Sequence, residues 1–267
     1  MIFSARVTGF KSCFHELWES RGRTLIVLFV VPFLFGFASG LSDRQIVENF
    51  DRIAFGNEFT KERFSRVRKW VDPIRFGIQG QYPDYFESDV MQHAQDLQQI
   101  TGHPVSLYYS HGLQKKGTLA KDFDKKNVNV LLFYLPNDKI PGALLKYFDH
   151  NREDLQQKIK TSTCFARYFR RKNEIRGAVV VFPSHHSRQV MRACVVEELA
   201  QIMGLPNDSN AVEPSIFNDT SPYLELTEQD RLLLKILYNP QITFNMEREQ
   251  ALQKALEILP ALRDQSN

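Results

Sequence analysis

The chain has 267 residues, 43% hydrophobic and 24% charged, with a formal net charge of +3. That composition excludes a disordered or fibrous protein and suits one domain of moderate size with small appendages. The charge excess lies at the N-terminus: residues 1–40 hold Arg6, Lys11, Arg21 and Arg23 against Glu16 and Glu19, which leaves 30 Lys+Arg facing 29 Asp+Glu. A neutral remainder gives no ground for a nucleic-acid partner.

Thr24 to Gly40 read TLIVLFVVPFLFGFASG, without a charge, behind Arg21 and Arg23. Basic residues, an apolar run and small residues at its end (Ala38, Gly40) form an export signal. The long leader and the length of the run equally suit an uncleaved N-terminal anchor, its basic side in the cytoplasm. Both readings place residues 41–267 outside the cytoplasm, with the membrane as a partner if the segment is retained. Cys13 falls in the leader, so export leaves Cys164 and Cys194 as an even pair in an oxidising compartment. A disulfide is expected, the alternative being two separate buried thiols.

A helix is predicted from Ser42, a capping residue, with Ile46, Phe50 and Ile53 on one face. A break at Gly56-Asn57 divides it from a second helix over Phe59 to Trp70, ended before Pro73. A strand follows over Ile74 to Gln79, then an amphipathic helix over 86–100 closed by Gly102. Strands are predicted at Val105 to Tyr109 and Val128 to Leu135, and helix over Gly142 to Lys160. Residues 161–172 carry no clear period. A buried strand over Gly177 to Phe182 leads into a helix from Ser187 to Met203, stopped by Gly204-Leu205-Pro206. Residues 205–222 form a long loop, a frequent seat of function. Thr227 and Asp230 stand at capping-box spacing before a helix to Tyr238, and a last helix spans 246–258. The order implies an α+β fold of α/β-like character, a mixed sheet packed on helices. Residues 1–40 are the signal or anchor, 41–245 the domain, and 246–267 a small C-terminal helix and tail.

Basic clusters at Lys61–Lys69, Lys115–Lys126 and Arg167–Lys172 read as solvated faces. The helix over 187–203 is apolar nearly all round, yet carries Glu197, Glu198 and Gln201. Residues 197 and 201 share a face. A carboxylate on such a helix must be paired, hydrogen-bonded or protonated, and crowded carboxylates mark candidate functional sites.

The spacing of this stretch resembles the metzincin zinc-protease signature His-Glu-x-x-His-x-x-Gly-x-x-His. Glu197 falls at the first His, Glu198 at the general base, Gln201 at the second His, Gly204 at the Gly and Asn207 at the third His, with Asp208 following. SIFND, Ser215 to Asp219, stands where the methionine turn would, without a Met. The resemblance implies a metzincin-like scaffold, while the loss of all three imidazole ligands removes support for zinc. His185 and His186, after the buried strand, are outside candidates for ligands, or solvated loop histidines.

A closer similarity is to domain-of-unknown-function family 2927, a group of exported proteobacterial proteins. It rests on Cys194, Glu197, Glu198, Gln201, Gly204, Leu205, Asn207 and Asp208, then Ser215 to Asp219, Leu226, Thr227, Asp230, Leu237 and Tyr238. AFGNEF at 54–59 and KWVDPIRFGIQG at 69–80 extend it. The resemblance implies a cell-envelope protein, periplasmic, secreted or inner-membrane anchored, but brings no activity. The expectation is a non-peptidase binding or structural protein with an envelope partner, in which Glu197, Gln201, Asn207 and Asp208 form a pocket or hydrogen-bonded network. The alternative is a metal-dependent hydrolase with those four as carboxylate and amide ligands and Glu198 as catalytic base.

Overall fold

A computed structural model describes residues 40–56, 63–148, 159 and 162–264. The chain divides into Met1–Ser39 and a compact unit, Gly40–Asn267. The apolar run, except Gly40, lies outside the described residues. So do Cys13 and most of the helix expected over 142–160. Among the described residues no helix is long and apolar enough to cross a membrane.

The elements are α1 (Asp43–Phe55), β1 (Lys69–Trp70), β2 (Ile74–Gly80), α2 (Asp84–Thr101), β3 (Val105–Tyr109), α3 (His111–Lys116), β4 (Val130–Leu135), α4 (Ile140–Tyr147), β5 (Phe165–Arg171), β6 (Glu174–Pro183), α5 (Arg188–Gln201), α6 (Glu228–Tyr238) and α7 (Arg248–Asp264). The fold is α+β: a six-stranded, mostly parallel sheet packed among helices. The order β3-β2-β4-β6 is parallel throughout, β5 pairs antiparallel with the far side of β6, and two residues of β1 join the start of β6.

Strand chemistry explains this arrangement. The run Ala178 to Phe182 is buried on both faces, as a central parallel strand requires. In β4 the alternation is clean. Val130, Leu132 and Tyr134 enter the main core shared with α1, α2, α5, α6 and α7, while Leu131, Phe133 and Leu135 meet a smaller cluster under α4. The expected Ser42 cap and Thr227–Asp230 capping box both form, and Gln45 completes a second box with Ser42 that was not expected.

The short helix α3 has no counterpart among the expected elements, and two further segments depart from expectation. Ser65 to Trp70 is not helical. Val67 exchanges backbone bonds with Met246 and Asn245, and Arg66 bridges Glu247, so its polar groups are satisfied by a distant stretch rather than by its own turn. The last helix passes through Pro260 to Asp264 instead of stopping at 258. Leu259 and Leu262 bury against the core and Arg263 bonds Asp43 at 2.8 Å, which outweighs the lost helical hydrogen bond.

Cys164, just before β5, and Cys194, on α5, form a disulfide with Cα atoms 6.0 Å apart. It fastens the antiparallel edge strand to the helix behind the sheet. On α2, His93 is 4% exposed and its Nε2 is buried without a hydrogen-bond partner. Burial depresses its pKa to about 4, with Asp96 and the Val196 backbone opposing and Arg231 and Arg192 assisting.

Two outcomes follow. Cys164→Ser should lower the melting temperature by the equivalent of roughly 3 kcal/mol on the loop-entropy estimate. Sustained reduction should bring the wild-type protein to the same value and leave the variant unchanged; a variant melting like the wild type would dismiss the bond as a stabiliser. As for His93, the unfolded chain takes up its proton below 6.5 and the folded chain only below about 4. In that window the unfolded state binds more protons, so acidification costs roughly 3 kcal/mol of stability. Urea midpoints of His93→Gln should lose that part of the slope between these pH values.

Candidate functional site

Helix α5 opens on Ser187, whose hydroxyl accepts from Val190 N, and runs with Met191, Cys194, Val195, Leu199 and Ala200 in the core. Its end is a tight turn in which Gly204 N and Leu205 N both donate to Gln201 O. Gly204 has φ +117, and a Cβ there would stand 2.4 Å from Arg68 O. No other residue fits that turn without moving the strand segment beside it. Trp70 Nε1 and the Tyr238 hydroxyl each donate at 2.8 Å, to Ile202 O and Met203 O. The carbonyls left over at the helix end are thus satisfied by two aromatic side chains, and the chain returns along α5 toward residue 208.

There the side chains singled out in the sequence separate into two groups. Gln201, buried, donates its amide to both oxygens of Asp208, at 2.8 and 3.0 Å. Carboxylate oxygens of Glu197, Asp208 and Asp219 all lie within 4.8 Å of one another. Glu197 and Asp208 are half-buried and Asp219 is exposed. Asn207 faces α1 instead: its amide donates to Arg52 O at 3.0 Å. It rests against Gly56, where a Cβ would come within 2.5 Å of it. Glu198 is buried and lies outside the three-carboxylate group.

Asp219 is not among the candidate pocket or metal residues read from the sequence. Its signal was the SIFND segment, whose comparison with a methionine turn drew attention to Ile216 and Phe217 and away from the acid after them. That segment is held by Asp230, fully buried on α6. The Asp230 carboxylate accepts from Ser215 Oγ at 2.5 Å and Ile216 N at 2.9 Å, and from Thr227 N and Oγ1 at 2.8 and 2.9 Å. Burial raises its pKa and these four donors oppose the rise. Gln229 donates to Pro214 O at 2.9 Å and accepts from Asn49 of α1 at 2.6 Å. Asn218 accepts from Thr220 N and Oγ1, and Phe217 O receives Ser209 N. With Ile216 and Phe217 in the core, this wiring sets where Asp219 emerges.

A zinc ion of the metzincin kind does not fit this donor set. The positions that would supply imidazoles hold Glu197, Gln201 and Asn207, and both amide nitrogens are spent on Asp208 and Arg52. His185 and His186 are not in the group either. His186 Nε2 meets Thr163 O at 2.8 Å, and both histidines line a cavity with Asn137, Ile140, Phe165 and Pro183 at the carboxyl ends of β4 and β6. Oxygen donors converging from a helix and a loop suit hydrogen-bonded recognition or a hard cation.

The fold and site define an α+β domain whose central helix carries buried and half-buried acids against a wired loop. Residues 43–257 match a family described as proteins of unknown function, DUF2927, and the chain belongs to that family. No curated protein matches the chain.

Asp230→Ala should leave two backbone N–H groups and the Ser215 hydroxyl without their acceptor, the Thr227 hydroxyl keeping Pro214 O, and destabilise the protein by roughly 3–5 kcal/mol. Denaturant unfolding would measure it; a loss below about 1 kcal/mol would show that the loop keeps its place by apolar contacts alone.

Proposed function

We propose that this is an exported protein of the bacterial cell envelope, built on a metzincin-like scaffold and acting as a binding protein rather than a peptidase. One observation carries the reading. At the positions of the three zinc ligands, Gln201 and Asn207 donate their amides to Asp208 and to Arg52 O, so these side chains build a hydrogen-bonded network where a zinc site would need nitrogen lone pairs. Support for the scaffold comes from a parallel sheet bordered by one antiparallel strand, a helix leaving β6 with Glu198 and the Gly204 turn in matching places, and α6 beneath the following loop. Export rests on the uncharged Thr24–Gly40 run behind its basic residues, and an oxidising compartment agrees with the Cys164–Cys194 bond.

A second reading is favoured by the convergence of Glu197, Asp208 and Asp219: a hydrolase holding a hard divalent cation with oxygen ligands, with Glu198 as base. Metal content per chain separates the two. Residues 41–267, purified from an oxidising compartment without chelators, should carry no tightly held divalent cation, calcium and magnesium included, and should cleave no peptide from a mixed library. About one such ion per chain, together with cleavage abolished by Glu198→Gln, would overturn the binding reading.

A further inference from the structure

Two basic clusters that are far apart in sequence meet at one end of the sheet. Asn129, at the start of β4, joins its neighbours there: Arg75 N donates to Asn129 Oδ1 at 2.8 Å, and Ala178 N to Asn129 O at 3.0 Å. The turn before it is seated on Tyr108, whose hydroxyl accepts from Asp124 N at 3.2 Å, which brings exposed Lys125 and Lys126 beside Arg75. The Arg75 guanidinium lies 5.6 Å from the Tyr108 ring centroid, and Lys125 Nζ 5.2 Å from that of Tyr109.

Strand β5 brings the other cluster. Ala166 and Tyr168 pack on the main core, so alternation turns Arg167, Phe169 and Arg171 to the opposite, outer face. Phe169 is 38% exposed, with the Arg167 guanidinium 5.3 Å from its ring centroid. The nearby carboxylates offset half of this charge, three of them standing against six cations once Arg176 is included. Asp72 and Glu174 both pair with Arg176, at 2.5 and 2.9 Å, and Asp124 accepts from Lys126 N. Arg75, Lys125, Lys126, Arg171 and Lys172 share no ion pair among the described residues. In a domain of nearly balanced charge, this is a segregated cationic face with an aromatic ring standing out of it.

We propose that this face, built by Arg75, Lys125, Lys126, Phe169, Arg171 and Lys172, docks on an anionic phospholipid surface. Cations meet the headgroup phosphates while Phe169 enters the headgroup boundary, the pairing of charge and aromatic ring that suits a bilayer interface. The face is spread over adjacent strands β2, β4, β6 and β5, which matches a broad surface rather than a single chain of phosphates. The proposal rests on the export reading, which sets the domain beside a membrane.

The test is co-sedimentation of residues 40–267, the compact unit with its own core, with phosphatidylglycerol-containing and pure phosphatidylcholine vesicles. Binding should need the anionic lipid and weaken with added salt. Lys125→Ser, Lys126→Ser, Arg171→Ser and Lys172→Ser combined should weaken it by at least about tenfold with an unchanged melting temperature. Phe169→Ser should weaken it while keeping the salt dependence. No binding, equal binding to neutral vesicles, or undiminished binding by the quadruple variant would overturn the proposal; so would binding of single-stranded DNA without binding of vesicles. A protease-accessibility assay on cells tests export independently, so failure of one is distinguishable from failure of the other.

Discussion

One buried carboxylate organises the lower half of the molecule. Asp230 is the first-turn acid of α6, so its cost of burial is met partly by the helix that carries it and partly by the loop it holds. A carboxylate with four donors fixes direction as well as distance. Because Ser215 and Ile216 are tied to it, Phe217 is driven into the core and the residues on either side turn outward. Gln229, next along the helix, passes the same restraint on to α1 through Asn49. Helix α6, the loop and α1 thus act as one body beneath the site helix.

The sheet supplies the other half. Strand β6 bonds to β4 on one side and β5 on the other, and α5 leaves directly from its end. The disulfide closes this loop of chain: β5 pairs with β6, β6 leads to α5, and α5 is joined back to the residue before β5. Helix α5 therefore cannot slide along the sheet without carrying its edge strand. The Gly204 turn then fixes the distance from α5 to Asp208, which is why Gln201 and Asp208 meet. Position, in this domain, comes from covalent and backbone restraints. The acids of the site are their beneficiaries.

Much of this was legible in the sequence, for identifiable reasons. Helices α1, α2, α5 and α6 and strands β2, β3, β4 and β6 each bury one face or both, and burial writes itself into hydrophobic period. The Ser42 cap, the Thr227–Asp230 capping box and the cysteine pair were readable because each is a local or parity signal. The failures share the opposite property. Ser65 to Trp70 looks helical because its apolar residues recur at helical spacing, and only its partners near residue 246 reveal otherwise. Strand β5 alternates weakly, since its outer face is cationic and unburied. Of the site, the shared face of Glu197 and Gln201 followed from helical geometry, while the approach of Asp208 to Gln201 was implied only by the resemblance in spacing. Asp219 was hidden because its place depends on a bond to Asp230 across a loop without period.

The first and last helices of the domain lie antiparallel, and their meeting point has a mechanical meaning. Arg263 bonds the Asp43 carboxylate and the Leu41 carbonyl, while at the other end Arg248 holds Asp51 with two bonds, at 2.6 and 2.7 Å. Tension applied at Leu41 is therefore taken up first by α7 and shared along the whole length of α1, in shear rather than by peeling one turn at a time. Strain entering at Leu41 thus reaches the α5 site only along α1, whose Arg52 carbonyl holds Asn207.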